Sequence, residues 1–123
     1  VKTAYALLLD RCGLSQREAA AIHGVRLDTV KSWSAGRNPT PAGAVEELRA
    51  LYARIERAAG EALALIEGAP PEGEVELGLA GDDHEAQSLG WPCVGAHAAV
   101  LGLVAARARR PVRIVPRAVS ASV

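Results

Sequence analysis

The sequence predicts a mainly α-helical chain that closes with a small α+β unit. Three observations carry that reading. Between Gly13 and Pro39 lie two short helical runs, each closed by a glycine. An apolar stripe spaced by threes and fours then continues from Pro41 to about Gly68. Beyond the breaker cluster Ala69-Pro70-Pro71-Glu72-Gly73, the period changes to two at Glu74–Leu79, and after a further helical stretch Val112–Pro116 reads as a last strand.

Each element has its own local cause. Lys2 to Arg11 places Tyr5, Leu8, Leu9 and Cys12 on one side of a helix that Gly13 stops. Ser15 is an N-cap residue, and Glu18 three positions later completes a capping box that satisfies two orphan amide donors. Ala19, Ala20 and Ile22 give this helix its apolar run, and Gly24 suits the left-handed conformation that reverses a chain after a helix. A second helix follows over Leu27–Ala35. Val30 and Trp33 form its inner side, while Leu27, Asp28, Lys31 and Ser32 point elsewhere; Gly36 and Arg37-Asn38-Pro39 end it. Helices of about nine residues cannot stand alone in water, so their use is to present an outer face at a fixed angle. The pair is a helix-turn-helix.

Thr40-Pro41 opens the long helix, with Thr40 as N-cap and Pro41 in the first turn, and Glu46 and Glu47 sit near its start, where they favour the helix dipole. Its main stripe is Val45, Leu48, Tyr52, Ile55, Ala59, Ala62 and Ile66, flanked at seven-residue spacing by Ala44, Leu51, Ala58 and Leu65. So wide a face must be buried. After the linker come a half-exposed strand, a polar loop or short helical turn over Gly81–Gly90, a helix from Pro92 to about Arg109, and a strand after Pro111. The expected organisation is a DNA-binding helical domain over 1–68, a linker at 69–73, a β-α-β unit over 74–117 and a frayed tail at 118–123.

Composition limits what such a chain can be. With 123 residues, no Phe or Met, and only two Trp and two Tyr, the core is thin, and burial against a second subunit is expected. No apolar run approaches the roughly 18 residues of a membrane span and no leader pattern opens the chain, so a soluble, cytoplasmic protein is expected. Cys12 and Cys93 fit no paired-ligand spacing and read as reduced thiols. Net charge is zero, yet it is unevenly spread: residues 1–40 carry +3, residues 41–90 carry −8 and residues 91–123 carry +5. A basic segment containing the helix-turn-helix is the footprint of phosphate contact.

The run Gly13-Leu14-Ser15-Gln16, Glu18 and Ala20, then Gly24-Val25, Thr29-Val30, Trp33 and Gly36-Arg37 resembles the Cro/C1-type phage repressor helix-turn-helix. Arg26 stands where a small capping residue is usual, and Ser34 where an acid is usual. A narrower resemblance covers nearly the whole chain. Trp33-Ser34-Ala35-Gly36-Arg37, Pro41 to Leu48, and Leu89-Gly90-Trp91 with Ala98-Ala99 are similar to the anti-CRISPR-associated repressors and their YdiL-like relatives. The resemblance implies a lambda-repressor-like N-terminal domain, a C-terminal region that pairs the subunits, and a homodimer repressing its own promoter through an inverted repeat. It also places Arg26, Leu27, Asp28 and Ser32 at base edges, with Thr29 and Lys31 nearby, and Gln16 on a backbone phosphate. Arg26 can pair with guanine O6 and N7, Leu27 can meet a thymine methyl, and Asp28 can accept from cytosine N4. Arg17, Arg37 and Asn38 lie at helix ends or in the following loop and suit phosphate. A dimer would set its two reading helices about 34 Å apart on a palindrome.

Other readings compete. Cys93 and His97, one turn apart and preceded by Asp82, Asp83, His84 and Glu85, could gather a metal in an enzyme. Single Cys and His residues in an Ala/Val-rich helix are more commonly buried, and no nucleophile–base pair, phosphate loop or paired carboxylate is visible; neither an enzyme nor a bound cofactor is expected. An antitoxin would use the same head with a toxin-gripping tail, and a ligand-sensing repressor would add a small pocket between strand and helix. The five C-terminal arginines read best as partners of the acidic middle, notably Arg113 and Arg117 across from Glu74 and Glu76. A second nucleic-acid surface, RNA included, is the other reading of them.

Overall fold

The computed structural model describes residues 3–71 and 73–117. The expected frayed tail at 118–123, the helix start at Lys2 and the linker residue Glu72 lie outside the described residues. The chain is mainly helical, with a two-stranded parallel sheet near its C-terminal end. Two compact units, 1–54 and 55–123, divide it, and the division runs through the long helix. Among the described residues no helix is long and apolar enough to cross a membrane.

In the first unit, α1 (Ala4–Arg11), α2 (Gln16–His23) and α3 (Leu27–Ala35) are short helices whose ends are closed by specific chemistry. The Thr3 hydroxyl accepts from the Ala6 amide at 3.1 Å and lies 3.2 and 3.1 Å from the carbonyls of Trp33 and Ser34, tying the start of α1 to the end of α3. Both halves of the Ser15/Glu18 capping box are made, at 3.0 and 2.8 Å. Gly24 (φ 70°) and Gly36 (φ 78°) adopt the left-handed conformation and close α2 and α3, a geometry that side chains other than glycine's strain to reach.

Packing then fixes the angle between these helices. Tyr5, Leu9, Cys12, Leu14, Ala19, Ala20, Val30 and Trp33 are buried, together with Ala44, Leu48 and Leu51 from α4 (Ala42–Gly68). Tyr5, His23 and Trp33 form a ring triangle with centroids 5.6 to 5.9 Å apart, and Trp33 meets both other rings near edge-on. Such pairs add about 0.5–1.5 kcal/mol each beyond their burial. The Tyr5 hydroxyl bonds His23 Nε2 at 3.0 Å, and His23 Nδ1 lies 3.3 Å from Glu47 on α4. Burial, aided by Glu47, pushes the Tyr5 phenol up to about 12. Burial alone pushes the Cys12 thiol, which donates to the Leu48 carbonyl at 3.4 Å, up to about 11.

Two details of α4 differ from the sequence reading. Its first carbonyl acceptor is Pro41, which takes the Val45 amide at 3.3 Å, so the cap falls one residue after Thr40. Leu65 is 77% exposed, because burial in the second half of the helix narrows to Ile55, Ala59 and Ile66.

The second unit runs β1 (Val75–Leu79), α5 (Asp83–Ser88), α6 (Val94–Arg107), β2 (Val112–Pro116). The strands are parallel, with Leu77 beside Ile114 and Glu76 beside Arg113. A Cβ on Gly78 would lie 3.0 Å from the Arg117 Cα, so a side chain there would press on the backbone leaving β2. Asp82 caps α5 by accepting from the Glu85 amide at 2.8 Å. Cys93, at the α6 N-cap, makes no capping bond; Asp83 instead accepts from the Val94 amide at 2.9 Å. Ala96, Val100, Leu101 and Val104 of α6 form this unit's core with Ala80, Ala86 and Cys93.

Candidate nucleic-acid interface

The outer side of α3 is assembled by what lies behind it. With Val30 and Trp33 buried, Arg26, Asp28 and Lys31 are exposed, and Leu27 and Thr29 are half-buried. Arg26 occupies the N-cap position without a side-chain capping bond. A guanidinium has no acceptor with which to cap a helix, and its five donors in a planar fork match guanine or phosphate.

Ser32 departs from the expectation that placed it at a base edge. It is 9% exposed, and its hydroxyl accepts from Asn38 Nδ2 at 2.6 Å. The left-handed turn at Gly36 brings the following loop back over this side of the helix, and the Arg37 amide bonds the Ser32 carbonyl at 3.0 Å. Ser32 therefore braces the loop from within instead of lying on the outer face. Asn38 is exposed but directs its amide group inward to Ser32, while the neighbouring Arg37 is exposed.

Gln16 and Lys31 face one cleft. With Asp10, Ser15 and Ser34 they line a cleft of about 440 Å³ where the end of α1, the start of α2 and α3 converge. The capping box takes up the Ser15 and Glu18 amides, and helix geometry leaves those of Gln16 and Arg17 without an intrahelical acceptor. Donors at a helix N-terminus beside a lysine suit an anion. Arg17 is exposed next to this cleft but does not line it.

His84 is exposed, and the other residues considered for a metal are engaged or buried elsewhere. His97 Nδ1 accepts from the Ala80 amide at 3.1 Å, Cys93 is 1% exposed, Asp82 and Asp83 cap helices, and Glu85 accepts from the Gly81 amide at 3.3 Å. Among the described residues no three His, Cys, Asp or Glu side chains are grouped to hold a metal. The C-terminal arginines also turn largely onto the chain itself. Arg113 pairs with Glu76 and, at 3.4 Å, with Glu74; Arg110 donates to the Gly73 carbonyl at 3.0 Å; Arg107 lies 3.8 Å from Glu56. Arg109 is exposed and Arg117 half-buried.

Sequence reasoning missed the Thr3 tie, the Tyr5–His23–Glu47 chain and the Ser32–Asn38 brace. Only the last joins residues near in sequence, and the positive φ at Gly36 was the available signal. Comparison with family models, with curated proteins and with solved structures gives no match.

Proposed function

We propose that this chain is a sequence-specific DNA-binding transcriptional repressor that acts as a homodimer on an inverted repeat, including one at its own promoter. In this reading α2 and α3 are the helix-turn-helix of a lambda-repressor-like domain, and α3 enters the major groove. Arg26, Leu27 and Asp28 read bases. Gln16, Arg17, Thr29, Lys31 and Arg37 hold the phosphates on either side, and Asn38 orders the loop between. The protein binds rather than catalyses and works in the cytoplasm.

The observation that carries the reading is the cleft that Gln16 and Lys31 both line, on the same unit as an exposed Arg26–Asp28–Lys31 row on a helix held from behind. Anchoring donors and base-reading side chains on one rigid surface is the arrangement that separates positioning from specificity. Pairing through the C-terminal unit is supported by its apolar hollow, lined by Leu79, Ala98, Leu101, Gly102, Ala105 and the 44%-exposed Ile114. A thin core gains from burying such a face.

The test is binding of the full chain to the DNA upstream of its own coding sequence, with Arg26→Ala alongside. The variant is expected to lose about 1–3 kcal/mol of discrimination between operator and scrambled duplex while keeping weak, salt-sensitive binding. Equal affinity of the unaltered protein for both duplexes would sink the proposal.

A further inference from the structure

The second unit contains a buried imidazole that the DNA-binding reading does not use. His97 is 8% exposed, and its Nδ1 accepts from the amide of Ala80, a residue itself 2% exposed. That bond requires a neutral ring with its proton on Nε2. Ala80 is the first residue after β1, so the bond fastens the strand's exit to α6. A buried amide deprived of its acceptor is left unpaired away from water, which is costly. A protonated ring would not only withdraw the acceptor but set one N–H against another.

We propose that His97 is an acid-sensitive latch: neutral, it holds the end of β1 on α6; protonated, it releases it. The charged surroundings agree. Burial holds the ring's proton affinity below the usual histidine value, and Arg117, following β2, lowers it further; Glu85 on α5 opposes them without outweighing burial. On the β1 side the partner is the uncharged Ala80. On α6, Cys93 lies one turn back and Arg107 pairs with Glu56 of α4. Opening the latch loosens the wall of the neighbouring hollow lined by Leu79, Ala80, Val94 and Ile114. The inference does not depend on DNA binding, because it concerns a bond within this unit.

The sign follows from linkage. A ring whose folded-state proton affinity is lowered binds a proton more readily once released. The latched state is therefore favoured fully above about pH 6.5 and loses ground as pH falls toward the latched ring's own midpoint. Nuclear magnetic resonance on the full chain tests this through the His97 ring and the Ala80 amide. The ring is expected to be the Nε2–H tautomer near neutral pH and to titrate below about 6.5. Ala80 exchange protection, corrected for intrinsic rate, is expected to fall by up to about tenfold per pH unit within that window. His97→Asn keeps an acceptor that does not titrate and is expected to abolish this dependence. An Nδ1–H tautomer, a ring midpoint at or above 6.5, or Ala80 protection indifferent to the titration would overturn the proposal. So would a folded His97→Asn protein with unchanged pH dependence. If that variant does not fold, the measurements on the unaltered chain decide alone.

Discussion

The two units solve opposite problems. In the first, helix ends are closed by Thr3, the Ser15/Glu18 box, Gly24 and Gly36, apolar side chains turn inward behind α3, and the outer row is polar. In the second, α6 lacks a capping bond from its own N-cap residue, the sheet has two strands among the described residues, and Ile114 stands open beside a helix face of Ala98, Gly102 and Ala105. A unit finished on its own can offer a precise surface to a polar partner. One with an open apolar face gains from a second copy. The difference is what supports assigning reading to the first unit and pairing to the second.

The most severe way to break the comparison is Trp33→Ala. It removes the ring that touches both Tyr5 and His23, and should cost about 3–5 kcal/mol, enough to unfold the first unit in a urea titration followed by residue-specific signals. Next comes pH. The first unit holds Tyr5 and Cys12 protonated, with the phenol raised to about 12 and the thiol to about 11. Groups whose folded pKa is raised supply stability that is present below the unfolded value and lost as pH climbs, here from about pH 9 upward. The second unit, through His97, weakens in the other direction, below about pH 6.5. Amide exchange resolved by unit should show one failing in base and the other in acid; both failing at the same end would erase the contrast.

Smaller effects sharpen it. Ile114→Asp charges the open face and is expected to raise the dimer dissociation constant at least about tenfold, about 1.4 kcal/mol, in sedimentation. The melting of the first unit should stay unchanged. Ser15→Ala removes one side of the capping box and should cost about 1 kcal/mol in the first unit only. Lys31→Ala is expected to leave both units intact, weaken binding to every duplex alike and reduce the salt slope by about 1.

Much of this was legible because helix ends and strand periods are local. Ser15 with Glu18, and glycines at 24 and 36, mark three helix boundaries within a few residues. The alternation at 74–79 and the β-branched run after Pro111 marked both strands, and the opposite charges of Glu76 and Arg113 marked their pairing, though not that they would run parallel. What escaped depends on the chain returning on itself. Helical period puts Ser32 on the outer side of α3; only the loop carrying Asn38 buries it. Tyr5 and His23 stand 18 positions apart and meet only through tertiary packing, which no local pattern records. Leu65 sits at core spacing, but nothing among the described residues covers it.

One titration reaches the centre of the account: an inverted-repeat duplex from the upstream DNA added to isotope-labelled protein, with amide shifts and stoichiometry read together. The account predicts two chains per duplex and the largest shifts at Gln16, Arg17 and Arg26 through Lys31. Shifts confined to the second unit, or saturation at one chain per duplex, would contradict it.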